Sequence, residues 1–282
     1  MPQRVKIARV FPRITRATPN DELCFFEPPG LFLPEIDEVH VSVSFTYDIP
    51  KAEQLAEAWR HIAPVKVGGP AYNEPGGEFI QGRYLKPGYT ITSRGCKNRC
   101  WFCQVWRREG GEIRELSIEP GNNILDDNLL ACSEQHIKDV FYMLKLQKWG
   151  RPMFTGGLEA KILKDWHVEL LVGIKPKEIF FAYDTRDDYE PLVEAGKKLL
   201  NAGFTTASHV LRCYVLIGYP GDAFDFAEDR LTDTIEAGFM PMAMLYRDEK
   251  GQVDKQWARF QREWVRPSIV GTKTIGATIC HN

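Results

Sequence analysis

Three thiols fall within eight residues of this chain, in the run Gly95-Cys96-Lys97-Asn98-Arg99-Cys100-Trp101-Phe102-Cys103. Thiolates are the preferred ligands of soft transition metals and of iron–sulfur clusters. A 4Fe–4S cluster has four irons, so three cysteines leave one iron with open coordination positions. Such an iron can chelate a small molecule and pass it an electron. Zinc is the competing occupant, but structural zinc takes four ligands, commonly in Cys or His pairs. The next candidates here, Cys132 and His136, lie far along the chain. Clusters that only transfer electrons normally use four cysteines. The spacing therefore points to a 4Fe–4S cluster on Cys96, Cys100 and Cys103. The other cysteines, at 24, 132, 213 and 280, share no spacing pattern and read as core residues.

Further polar groups sit where strands are expected to end. Asp126-Asp127-Asn128 follows one, and strict alternation prevents both aspartates from facing the same way. Thr155-Gly156-Gly157-Leu158-Glu159 follows another. Glycine lets backbone approach a ligand closely, and Glu159 can accept hydrogen bonds from ribose hydroxyls or serve as an acid at a helix N-terminus. Asp184, in Tyr183-Asp184-Thr185, either joins the chemistry gathered at a sheet edge or caps the next helix. Gly218-Tyr219-Pro220-Gly221-Asp222 closes the run CYVLIGYPGD and is either a ligand-contacting loop or an ordinary turn.

Short β-branched runs alternate with helical patterns, which predicts βα units and a parallel sheet. Strands are expected at Tyr89–Thr92, Asn123–Leu125, Pro152–Thr155, Glu178–Tyr183, Arg212–Ile217 and Pro241–Leu245. Helices are expected at Ser133–Leu146, Ala160–Val172, Tyr189–Ala202 and Asp225–Ala237. Six strands suggest an incomplete barrel. Ahead of them, strands Val5–Phe11 and Val39–Tyr47, helix Lys51–His61 and the strand Val65–Val67 leading to Gly68-Gly69 form a small Rossmann-like fragment. The proline-rich stretch TPNDELCFFEPPGLFLPEID reads as loop. Trp257, Phe260 and Trp264 recur at helical spacing and predict a last amphipathic helix. The expected organisation is a truncated Rossmann-like segment at 1–85, a barrel at 86–250, and a helix and tail packing on it at 251–282.

The cysteine spacing, its place after the first barrel strand, and Phe102 before the third cysteine resemble the radical S-adenosylmethionine superfamily. The resemblance covers residues 85 to about 250 and implies an α/β fold with a partial (β/α)6 TIM-like barrel. It implies a 4Fe–4S cluster and S-adenosylmethionine as cofactors, and a one-electron donor of flavodoxin or ferredoxin type as partner. Reductive cleavage of S-adenosylmethionine would yield a 5′-deoxyadenosyl radical that takes hydrogen from a substrate. The resemblance places Phe102, Asp126, Asp127, Gly156, Gly157, Glu159, Asp184, Ile217, Gly218 and Tyr219 around the cofactor. Ile217, Gly218 and Tyr219 match the adenine-contacting segment, and Asp126 or Asp127, with Asp127 preferred, would meet the methionine amino group. The family's Gly-Gly-Glu is absent at that point. The N-terminal fragment resembles a shrunken cobalamin-binding domain. It lacks the Asp-x-His-x-x-Gly loop, and His40 lies inside a strand, so no cobalamin is expected. A non-catalytic iron–sulfur or S-adenosylmethionine-binding module and a zinc-binding structural protein are the alternatives.

The chain has 282 residues, 44% hydrophobic and 26% charged, with 36 basic and 38 acidic side chains. That balance is of an ordinary globular protein with no general pull toward nucleic acid or anionic membrane. No apolar run approaches the ~20 residues that cross a bilayer. The opening MPQRVKIARVFPRI lacks a signal-like apolar stretch, and the expectation is a cytoplasmic protein with reduced thiols. Arg94, Lys97, Arg99, Arg107, Arg108 and Arg114 crowd the cysteine loop. They either attract an anionic small molecule such as a nucleotide or solvate a surface loop.

Overall fold

A computed structural model describes residues 5–264, and Cys280 and the end of the expected C-terminal tail lie outside them. The chain divides into two compact units, residues 1–149 and 150–282. Both are mixed α/β with parallel sheets.

In the first unit, β1 (Ile7–Val10), β2 (Cys24–Phe25), β3 (Glu38–Ser42) and β4 (Val65–Gly68) form a parallel sheet in the order β2-β1-β3-β4. Alternation along β3 turns Val39 and Val41 inward, where they meet Ala8, Val10 and Val43. Helix α1 (Ile49–Trp59) starts with Pro50 in its first turn and buries Ala52, Leu55, Ala56 and Trp59 against that face. It is the crossover that parallel pairing of β3 and β4 requires.

The proline-rich stretch holds a strand: β2 pairs with β1, because Arg9 donates to the Leu23 carbonyl and Phe11 to that of Phe25, and the Phe25 ring packs 4.7 Å from Trp59. The strand expected at Val39–Tyr47 stops at Ser42, and residues 46–48 turn into a 3-10 helix that leads into α1.

Beyond this sheet, β5 (Tyr89–Thr90) is followed by β6 (Ser93–Arg94), the short helix α2 (Val105–Arg108), β7 (Arg114–Glu115), β8 (Asn123–Ile124) and α3 (Glu134–Leu146). Strands β5 and β8 pair in parallel. Strands β6 and β7 form an antiparallel ribbon, Ser93 opposite Glu115 and Arg94 opposite Arg114, and the cysteine loop is the connection between them. Ser133 caps α3 by accepting from the His136 N–H at 3.2 Å.

The second unit repeats strand and helix: β9 (Met153–Phe154), α4 (Asp165–Ile174), β10 (Glu178–Ala182), α5 (Tyr189–Asn201), β11 (Leu211–Ile217), α6 (Phe224–Glu236) and β12 (Met240–Leu245). Strands β9 to β12 lie side by side in parallel, in chain order. The last helix, α7 (Lys255–Trp264), packs on β12, where Gln261 donates to the Ala243 carbonyl. The helix expected from Ala160 instead begins with a 3-10 turn at 160–162. The chain extends at Leu163 and Lys164, the Lys164 N–H donates to His167 Nδ1 at 3.0 Å, and α4 starts at Asp165.

Candidate functional site

The cysteine loop leaves β6 through Gly95, whose φ of +92° suits glycine. A Cβ there would run into the Glu112 carbonyl across the ribbon. The Cys96 N–H donates to the Gly110 carbonyl at 3.4 Å, and the Cys103 N–H to that of Cys100 at 3.1 Å. Cys96 and Cys103 are half-buried, whereas Cys100 is exposed. Burial pushes the Cys103 thiol up, with Cys96 adding to the shift. The half-buried Phe102 ring meets Trp101 edge-on at 5.4 Å.

The run after β8 holds this loop from below. Asp126 is buried and accepts from the Thr92 N–H and hydroxyl, both at 2.6 Å, and from the Ser93 hydroxyl at 2.7 Å. Burial pushes its carboxyl up while these bonds favour the ion. Asp127 Oδ2 accepts from the Gly95 N–H at 2.9 Å, and its carboxyl too is raised by burial. The Asn128 side-chain amide approaches Cys96 Sγ at 3.7 Å. Asp126 therefore holds the strand beneath the loop, and Asp127 and Asn128 meet its first two residues.

The far side of the loop is fixed by a group that sequence reading missed. Glu109 is buried and ion-pairs with Arg94 at 3.8 Å, Arg108 at 2.8 Å and Arg114 at 2.7 Å, and both its oxygens accept from the Gly76 N–H. Half of the basic crowd thus serves one internal carboxylate. Arg107 lies over the Trp106 ring and donates to the Trp101 carbonyl. Lys97 and Arg99 are exposed.

The second unit holds the remaining candidates. Gly156 is exposed, Gly157 has φ +95° with open space where a side chain would point, and half-buried Glu159 precedes the 3-10 turn at 160–162. Asp184, just past β10, accepts from the Leu216 N–H in β11 at 2.8 Å, and burial pushes its carboxyl up to about 6. That bond brings Asp184 to the end of β11, beside buried Ile217 and Gly218. The Gly218 N–H donates to Asp222 at 2.8 Å, and Asp222 pairs with the buried Arg230, whose guanidinium lies over the Tyr219 ring. Arg230 also donates to the Leu216 carbonyl. Trp257 of α7 covers Gly218, its Cγ 2.8 Å from where a Cβ would stand. The helical spacing of Trp257 predicts its helix but not its cover over Gly218, and Arg230 carried no signal of its own, because its pairing with Asp222 depends on how the next helix packs.

Among the described residues no three His, Cys, Asp or Glu side chains are already drawn together around a metal position. The donor set still fits a cluster. Three thiols outside any disulfide share one loop, an amide already faces one of them, and no histidine or fourth cysteine completes a zinc set within that loop. Among the described residues the cysteines elsewhere are scattered rather than gathered in one loop, and burial pushes Cys24 up to about 11, Cys132 up to about 12, and the fully buried Cys213 well up.

No family model and no curated protein matches the sequence. The fold is similar to that of TsrM, a radical S-adenosylmethionine methyltransferase from Kitasatospora setae solved with cobalamin and a 4Fe–4S cluster bound. The TM-score is 0.56 at 11% identity, over 75% of this chain. The chain spans 64% of that protein's length. The likeness is one of fold: this chain has a radical S-adenosylmethionine-like α/β architecture.

Proposed function

We propose that this chain is a radical S-adenosylmethionine enzyme in which Cys96, Cys100 and Cys103 hold a 4Fe–4S cluster. The observation that carries the reading is the cysteine loop itself, spanning an antiparallel ribbon and anchored at Gly95 and Cys96 by Asp127 and Asn128. When bound, the cluster supplies the electron that cleaves the sulfonium of S-adenosylmethionine. The protein's share is binding, orientation and exclusion of water. Asp127 Oδ2 is engaged by Gly95, and we assign Oδ1 to the cofactor's cationic amino group. Asp184, Ile217, Gly218 and Tyr219 are proposed to line the adenosine, with Gly156, Gly157 and Glu159 beside the ribose and Phe102 against the cluster. The repeated βα units support a partial (β/α)6 barrel as the frame. A flavodoxin- or ferredoxin-like donor would deliver the electron, and the substrate is proposed to be a small molecule. Among the described residues no helix is long and apolar enough to cross a membrane.

This chain is proposed to work without cobalamin. His40 Nδ1 bonds the Tyr84 hydroxyl at 2.6 Å and Nε2 faces Glu38 at 3.0 Å, so both ring nitrogens are engaged. A second reading, a corrinoid in the first unit, is favoured by a cavity of about 410 Å³ lined by His40, Ser42, Ser44, Gly68, Gly69 and Tyr84. It sits at the carboxyl ends of β3 and β4, where parallel sheets bind ligands. The cobalamin in TsrM favours it too.

Anaerobic incubation of the reconstituted protein with a reductant and S-adenosylmethionine tests the reading. The proposal expects 5′-deoxyadenosine, formed without added corrinoid and lost in the three cysteine-to-alanine variants. Binding of S-adenosylmethionine with no cleavage would favour the non-catalytic module. Turnover that needs a corrinoid bound one per chain would favour the second reading.

A further inference from the structure

Asn128 stands at the N-cap of the 3-10 turn Leu129–Ala131, a position where asparagine usually spends its side chain on the turn's own N–H groups. Here the side chain makes no capping bond, with the backbone at φ −162° and ψ 78°. Its Nδ2 donates toward Cys96 Sγ at 3.7 Å. That separation suits a bond to sulfur, whose larger radius lengthens the contact relative to oxygen. The side chain is buried, so the dipole acts on the sulfur with little screening by water. The neighbouring Asp127 holds the Gly95 N–H at 2.9 Å, which fixes the peptide that precedes the same cysteine. Two consecutive residues thus grip the start of the loop, one by its backbone and one by its sulfur.

We infer that Asn128 tunes the reduction potential of the proposed cluster through an N–H···S bond to Cys96. This rests on the reading of the loop as a cluster seat. Hydrogen bonds to cluster sulfurs are among the factors that set such potentials. One-electron reduction adds negative charge that is shared with the cysteine sulfurs, so a fixed N–H donor favours the reduced state. Removing the donor should make reduction harder. Loss of an outer-shell partner typically costs ten- to a hundredfold in metal affinity or activity, and an effect of the same order is expected in the reduction equilibrium. The lower end, about tenfold in the one-electron equilibrium, corresponds to about 59 mV. Asn128 is in this account a positioning and tuning residue and need not touch S-adenosylmethionine.

The test is a redox titration of the full chain, reconstituted anaerobically, followed by electron paramagnetic resonance without S-adenosylmethionine. Wild type is compared with Asn128→Leu, which removes the donor, and with Asn128→Asp, which keeps the shape while replacing the donor by an acceptor. Iron and sulfide are counted in each sample. The inference expects both variants to load as wild type does and to titrate at more negative potential, by about tenfold in the equilibrium for leucine and further for aspartate. If leucine fails to fold, the isosteric aspartate variant carries the test alone. Loaded variants with an unchanged midpoint overturn this inference and leave the function proposal standing. A wild-type chain that assembles no cluster overturns both.

Discussion

The flanks of the cysteine loop and its centre are built differently. On one side Gly95 is pinned by Asp127 and packed against the Glu112 carbonyl, and on the other Glu109 draws in Arg94, Arg108 and Arg114. Between them Lys97, Asn98, Arg99, Cys100 and Trp101 are exposed. The fold therefore fixes the first sulfur, and in the proposed cluster site the exposed Cys100 would be drawn in by the metal. Metal sites couple binding to folding in this way, because free energy from coordination orders whatever the apo chain leaves loose. Flank substitutions should thus lower stability before any metal is added, and substitutions at the centre should affect only metal loading.

Glu109→Gln should have the largest effect. It leaves three arginines around a buried, uncharged amide, and breaking a buried pair by removing one partner costs about 3–5 kcal/mol. Chemical denaturation of the metal-free protein should show this loss, whereas Cys100→Ala should leave the same midpoint unmoved. Equal stability of the two variants would erase the distinction between flank and centre. Gly95→Ala comes next. The positive φ alone costs about 1–3 kcal/mol for a residue with a Cβ, and the Glu112 carbonyl must also move. Thermal unfolding of the metal-free chain should report it.

Asp127→Asn keeps its shape and can still accept from Gly95, but it loses the charge facing the proposed amino group. S-adenosylmethionine affinity of the loaded protein, read by calorimetry, should fall about tenfold, or about 1.4 kcal/mol, with iron content intact. Asp126→Asn should instead show its loss in stability, since Asp126 serves Thr92 and Ser93. An unchanged affinity for the Asp127 variant would place the amino group elsewhere.

The smallest effect is expected at Asp184, whose carboxyl is raised by burial from 3.8 to about 6. Between those values the folded chain keeps a proton that the unfolded chain has released, so this group makes stability fall as pH rises from about 4 to 6 and level off above. Asp184→Asn removes that slope and should be the more stable form above pH 6 by about 1 kcal/mol, less than the full shift because an amide oxygen accepts from the Leu216 N–H more weakly than the carboxylate does. A denaturation series across that pH range with identical slopes would contradict the burial of this group.

These contrasts also show what a linear reading can reach. The cysteines, the βα alternation and the amphipathic spacing of Trp257, Phe260 and Trp264 are local patterns, and local periodicity survives into α4, α5, α6 and α7. The strand at Cys24–Phe25 is masked by the prolines on either side of it, since its pairing depends on β1 and on the Trp59 ring. Glu109 looked like one more charge in a polar run, and its role depends on arginines gathered by the ribbon. Asn128 was visible as a strand-end residue, but its approach to Cys96 exists only once β5 and β8 are paired. Arg230 reaches Asp222 from the next helix in the same manner.

The most direct test of the account is the iron and acid-labile sulfide content of the anaerobically purified chain, measured beside its Cys96→Ala, Cys100→Ala and Cys103→Ala variants. The account predicts about four irons and four sulfides per chain in the wild type and loss of both in every variant. Stoichiometric zinc without sulfide would contradict it.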